Sequence, residues 1–255
     1  MAFCQVQFFS QCLDVASTVN VILPEADMGI GITTSQTGSL PQVLYLLHGY
    51  SDDQSIWMRR TSIERYAAKY NLCVVMPAVN HSFYTNEIHG ERYWDYVSEE
   101  LPRVMHQFFR LSEDPQDTYV AGLSMGGYGA LKLALTHPER YAAAGSFSGA
   151  VDIQAMAASD WHKDTFRNIF GKVTNLKNTQ HDLFYLAKQH SNSPVLPRLY
   201  VSCGTADSLY NAHLKLVKAL QKTAFDLTHE EIPDRTHEWA LWDTEILHFL
   251  TLYVR

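Results

Sequence analysis

The sequence predicts an α/β fold, with a mostly parallel central sheet and helices on both of its faces. Two observations carry this. Short apolar runs that do not alternate recur along the chain: QVLYLL (Gln42–Leu47), LCVVMP (Leu72–Pro77), TYVAG (118–122), YAAAGSFS (141–148) and PRLYVSCG (197–204). Such runs fit strands buried on both faces, as in the interior of a parallel sheet. Between them lie amphipathic stretches: Val97, Leu101, Val104, Met105 and Phe108 recur at helical spacing, as do Leu209, Ala212, His213, Leu216, Val217 and Leu220. Strand–helix alternation of this kind builds right-handed βαβ units in an open sheet.

The remaining elements follow in order. Two strands near the start, 4–9 and 18–23, have no helix between them and are expected to form an antiparallel edge. Residues 28–41, MGIGITTSQTGSLP, read as a hairpin loop because of their Gly, Ser and Thr content. A final strand is expected at 226–232, DLTHEEI. The stretch 152–194 breaks the rhythm. It has a helical pattern between two core strands, so it is expected as a cap-like insertion over one end of the sheet, within a single domain spanning 1–255.

Composition narrows the function. Hydrophobic residues make up 46% and charged residues 18% of the chain, an ordinary globular balance. The net charge of -7 and the pI near 5.9 repel phosphate backbones and anionic lipid, so neither nucleic acid nor a membrane is an expected partner. The first residues, MAFCQVQFFSQCLDVAS, carry no basic region and no long apolar core, which leads to the expectation of a cytoplasmic protein. Cys4, Cys12, Cys73 and Cys203 form no C-x-x-C pair and read as reduced thiols.

One short string carries chemistry. Gly122-Leu123-Ser124-Met125-Gly126 is G-x-S-x-G between a predicted strand and a predicted helix. In that setting the serine sits on a tight, strained turn at the carboxyl edge of the sheet, with a helix N-terminus behind it. A serine hydroxyl needs a base, and the base needs an orienting acid. The expected chain order is Ser, acid, His. Asp207 follows the strand 197–204, and His237 follows the strand 226–232. Asp234, Glu230 and Glu231 are rival acids, but they lie within or beside the strand and loop that carry the histidine. The backbone N–H groups of Met125 and Tyr50 are the candidate oxyanion donors, and His48 is read as a structural residue that pins the loop carrying Tyr50. The aromatics Trp57, Tyr84, Trp94, Trp161, Phe184 and Trp239 are candidates for lining a substrate pocket. His237-Glu238 begins like a zinc motif but has Leu241 where a second histidine would stand. No phosphate-binding glycine loop is present either, so no metal or cofactor is expected.

With these residues in view, LLHGYSDD, AGLSMGGYGALKLAL, SFSGA, CGTADSLY and HEWALWD resemble the esterase D-like family of α/β-hydrolases, most nearly its bacterial tributyrin esterases of EstA type. EELPRV and FYTNEIHGERYWDYV resemble the same subgroup, and the likeness spans nearly the whole chain. It implies an α/β-hydrolase fold and a cofactor-free serine carboxylesterase that hydrolyses short-chain acyl esters, of tributyrin type or of sugars or phenols, through an acyl-enzyme. In that reading Ser124 is the nucleophile, Asp207 the acid, His237 the base, and Tyr50 and Met125 the oxyanion donors. Members of the family form dimers or tetramers, and the oligomeric state of this chain stays open. S-formylglutathione hydrolases of the same family carry Gly-Leu-Thr-Cys where this chain has Gly49-Tyr50-Ser51-Asp52, which weighs against a glutathione thioester. An acyltransferase using the same three residues, and a binding module that has kept only the fold, are the other readings.

Overall fold

The computed structural model describes residues 1–25, 38–172 and 175–255. Eight strands form one sheet: β1 (Ala2–Ser10), β2 (Val15–Leu23), β3 (Gln42–Leu47), β4 (Leu72–Pro77), β5 (Thr118–Leu123), β6 (Ala143–Phe147), β7 (Arg198–Gly204) and β8 (Leu227–Ile232). Their spatial order is β1-β2-β4-β3-β5-β6-β7-β8. β1 pairs antiparallel with β2, and β2 antiparallel with β4; every other pairing is parallel. The expected antiparallel edge is therefore present, and each expected strand lies within a few residues of its predicted bounds. The hairpin loop expected at 28–41 falls, for 28–37, outside the described residues.

Helices α1 (Ile56–Arg60) and α2 (Ile63–Ala67) follow β3, and α3 (Tyr93–Asp95) and α4 (Leu101–Phe108) follow β4. After β5 comes α5 (Met125–Thr136). Three helices, α6 (Ile153–Ala157), α7 (Lys163–Phe170) and α8 (Leu183–His190), separate β6 from β7, and α9 (Tyr210–Leu220) and α10 (Trp239–Tyr253) complete the chain. One face of the sheet packs on α4, α5, α8 and α9, the other on α1, α2 and α10. β3, β4 and β7 are buried almost end to end, which is why their sequences run apolar without alternation. No helix among the described residues is long and apolar enough to cross a membrane.

The stretch 152–194 is divided in a way its sequence conceals. α8 packs against α5 and α9, with Leu183, Leu186 and Ala187 buried in the core of that face. It is the crossover helix between β6 and β7, so only the part before it remains free to lie over the sheet's carboxyl end.

The predicted helix from Val97 to Phe108 contains a π turn at Tyr96–Glu100, immediately before α4. Pro102 has no N–H and its ring crowds the carbonyl of Ser98, four residues earlier. The Arg140 guanidinium donates to that carbonyl at 3.0 Å instead. The wider turn also aims Glu100 inward, where it accepts from the Ser10 hydroxyl, the Gln11 N–H (2.8 Å) and the Cys12 N–H (3.3 Å) at the β1–β2 turn. Burial pushes the Glu100 carboxyl up, but these donors outweigh it and hold the group below its ordinary range. A lowered folded-state value stabilises at neutral pH, and the stabilisation fades as pH falls through it. Glu100→Ala is expected to cost about 2–3 kcal/mol in urea unfolding at neutral pH, as charged hydrogen bonds do. The gap to wild type should narrow below about pH 4, the carboxylate range. A gap under about 0.5 kcal/mol, typical of a neutral surface change, or one that does not depend on pH, contradicts this role.

Candidate active site

Strand order reverses between β3 and β5, since β4 lies beyond β3 on one side and β6 beyond β5 on the other. In open α/β sheets the loops leaving two such strands diverge and open a crevice at the carboxyl ends. Ser124 follows β5 directly at this point. Its backbone is left-handed, at φ 52° and ψ -116°, and α5 begins with the next residue. The Ser124 N–H donates to Phe147 O (2.9 Å), and its carbonyl accepts from Tyr128 (3.1 Å) and Ala150 (3.0 Å). The helix can pass this close only because of glycine. A Cβ on Gly126 would lie 2.4 Å from Leu47 O and 2.7 Å from His48 O, and one on Gly122 would lie 2.5 Å from the Gly126 backbone.

The loop after β3 is pinned by His48. Val79 N–H donates to its Nε2 (3.1 Å), so the proton sits on Nδ1 and donates to Gly49 O (2.7 Å). Burial pulls the His48 imidazole down to about 4, which keeps it neutral. Tyr84 fastens the same loop from below, its hydroxyl donating to His48 O at 2.9 Å. Tyr50, two residues on, is clamped by its ring, which stacks on His81 (4.2 Å between centroids) and packs against Trp161 and His162. Its hydroxyl donates to Thr165 at 3.1 Å.

Asp207 follows β7 and is buried. Its Oδ1 accepts from the Leu209 N–H (2.9 Å), and its Oδ2 faces His237 Nδ1 at 2.8 Å. Burial alone would raise the Asp207 carboxyl. The hydrogen bonds from His237 and Leu209 outweigh it and hold the group below its ordinary range. His237 arrives on the loop between β8 and α10. That loop can approach because Gly204 leaves room: a Cβ there would lie 2.1 Å from Arg235 O. The rival acids lie elsewhere. Asp234 and Glu230 are exposed, and Glu231 accepts from the Tyr210 hydroxyl.

Ser124, Tyr50 and His237 open onto one cleft of about 450 Å³. Of the six aromatics expected around a pocket, only Trp161 and Trp239 line it. Trp57 is buried in the core, its indole N–H donating to Leu47 O at 3.0 Å and its ring edge-on to Trp239. Tyr84 is fully buried under the loop after β3. Trp94 and Phe184 line other cavities. Sequence reasoning missed Trp242, which packs edge-on to the His237 ring at 4.8 Å. Its place three residues after Trp239, on the same helical face, was the available signal. It also missed Asp52, a half-buried carboxylate in the cleft, pushed up by burial.

Comparison with known proteins places the chain in a family. The model of the Esterase family ("Putative esterase") matches residues 10–249. An acetyl esterase of Caldicellulosiruptor saccharolyticus is 28% identical over 257 residues, covering 96% of each chain. Two solved structures from Staphylococcus aureus are each 34% identical to this chain. The fluorophosphonate-binding serine hydrolase FphF, substrate bound, matches with a TM-score of 0.89 over 100% of this chain and 98% of that one. The S-formylglutathione hydrolase FrmB matches with a TM-score of 0.86 over 100% and 99%. With its eight-stranded α/β-hydrolase fold, this chain belongs to the esterase family and is a carboxylic ester hydrolase of the serine esterase kind.

Proposed function

We propose that this esterase hydrolyses short-chain acyl esters of small alcohols through an acyl-enzyme on Ser124. One observation carries the reading: a serine in a left-handed turn at a helix N-terminus shares a cleft with a histidine whose Nδ1 is bonded to a buried carboxylate. With Nδ1 engaged by Asp207, His237 keeps Nε2 for the serine. Ser124 Oγ attacks the ester carbonyl carbon while Nε2 takes the hydroxyl proton. The tetrahedral oxyanion is received by the N–H groups of Met125, first residue of α5, and of Tyr50. Collapse expels the alcohol, which leaves with the proton from Nε2. Water then attacks the acyl-enzyme by the same route, releasing the acid and restoring Ser124. In this reading the whole chain is one catalytic domain, capped by the part of the β6–β7 connection that carries Trp161 and His162.

The walls limit the acyl group. Trp239 is held edge-on by Trp57 and Trp242, at 5.3 and 5.1 Å, and Trp161 packs against Tyr50 and Phe83. Rings packed in this way narrow the room for a long chain. Each methylene that fits adds up to about 0.8 kcal/mol, while one that does not fit brings packing strain.

A second reading, a glutathione thioesterase, is favoured by the 34% identity to FrmB. Against it stands Asp52, whose carboxylate in the cleft repels the carboxylates of a glutathione substrate. A larger kcat/KM on S-formylglutathione than on p-nitrophenyl acetate would select the thioesterase.

Ser124→Ala is expected to leave the fold intact, lower kcat by roughly 10⁴–10⁶ and abolish labelling by a fluorophosphonate, because the triad acts as a unit. More than a tenth of wild-type turnover in that variant would remove Ser124 from its role. Asp207→Asn should lower kcat by about 10³–10⁴ through the wrong histidine tautomer. Asp234→Asn should have little effect, and the reverse ranking would mean that the acid is misassigned. Steady-state rates on p-nitrophenyl esters should peak between acetyl and butyryl and fall steeply by octanoyl. A profile rising to palmitoyl would contradict a short, rigid acyl site.

A further inference from the structure

Away from the cleft, on the far flank of α5, a second cavity of about 70 Å³ is built around a buried cation. Lys132 is 3% exposed, and no ion pair reaches its ammonium among the described residues. Nζ donates to Tyr84 O (3.2 Å) and Thr85 Oγ1 (2.7 Å) and lies 4.5 Å from the Trp94 ring centre, which leaves one N–H without an oxygen partner. Two other lining residues carry buried polar atoms with no hydrogen-bond partner among the described residues, His181 Nδ1 and Thr136 Oγ1. Gln180 stands exposed at the rim, and Asn86 is held as a wall by two hydrogen bonds with Asp95. None of these residues lines the cleft at Ser124.

We propose that this cavity is a second binding site, specific for a small monocarboxylate such as acetate. A buried ammonium without a counter-ion is costly, and a single anion beside it relieves that cost. One cation with uncharged donors around it matches one negative charge. A phosphate dianion would ask for a second cation, and His181 does not supply it, because burial and the neighbouring Lys132 pull its imidazole down to about 3. The two oxygens of a carboxylate match Nζ on one side and the Thr136 hydroxyl on the other. Occupancy would also be felt at the first site. The Tyr84 carbonyl accepts from Lys132, while its hydroxyl holds the His48 carbonyl in the loop that carries Tyr50.

The site should titrate in a defined direction. Burial pulls the Lys132 ammonium down to about 7. The other titratable groups facing it are the Tyr128 phenol, pushed up by burial, and neutral His181. His137 lies behind Trp94, itself pulled down by burial, and Asp95 lies behind Asn86. Acetate binds the protonated form, so affinity should fall as pH rises past 7.

The experiment is saturation-transfer NMR of acetate at constant ionic strength, on protein whose Ser124 has been blocked with a fluorophosphonate. Saturable binding with Kd on the order of millimolar is expected at pH 6.5, weakening at least tenfold by pH 8.5. Lys132→Met, checked for folding by circular dichroism, should abolish it, and Thr136→Val should weaken it several-fold. Inorganic phosphate should not displace acetate. Undiminished binding in both variants, no saturation at pH 6.5, affinity independent of pH, or displacement by phosphate at lower concentration would each overturn the proposal.

Discussion

The site rests on one backbone constraint, the left-handed conformation of Ser124 where β5 turns into α5. A non-glycine residue held there carries strain of about 1–3 kcal/mol and persists only when its surroundings over-determine it. Three backbone hydrogen bonds, to Phe147, Tyr128 and Ala150, do so here, drawing on β6, on α5 and on the connection after β6. The same turn forces α5 across the end of β3, which is why its second residue is Gly126, against Leu47 O and His48 O. The loop after β3 thereby meets the N-terminus of α5. The candidate oxyanion donors thus come from two elements locked together by a single crossing.

Around that crossing, burial sorts the ionisable groups by the partners each finds. His48 and Asp207 are both buried. His48 meets one N–H and one carbonyl, so desolvation wins and the ring stays neutral as a fastener. Asp207 meets donors on both oxygens, so desolvation loses and the carboxylate stays charged opposite His237. Lys132 finds acceptors but, among the described residues, no opposite charge, and its ammonium is pulled down instead. These three outcomes follow from one balance between desolvation and hydrogen bonding.

Much of this was legible in the sequence. The apolar runs marked the parallel strands because two-sided burial leaves no room for alternation, and G-x-S-x-G marked the elbow because close crossing demands glycine. The order Ser124, Asp207, His237 was readable, and the geometry pairs Asp207 with His237. The aromatics were less legible. Trp57, Tyr84 and Trp161 share a composition but differ in which way a loop turns them, and long-range packing decides that. α8 looked like part of an insertion because its pattern does not say which surface it covers. The π turn at Tyr96 was hidden because it depends on Arg140, distant in sequence, accepting the task of bonding Ser98 O. Lys132 read as one more polar residue in a helix, and only the fold shows it buried.

The most direct test of the account is to quench p-nitrophenyl acetate turnover with acid and locate the trapped acyl group by intact-mass and peptide-mass spectrometry. One acetyl group per chain is expected, on the peptide containing Ser124, formed at least as fast as steady-state turnover and missing from Ser124→Ala. Full turnover with no acetyl adduct, or an adduct on a different side chain formed at the rate of turnover, would contradict it.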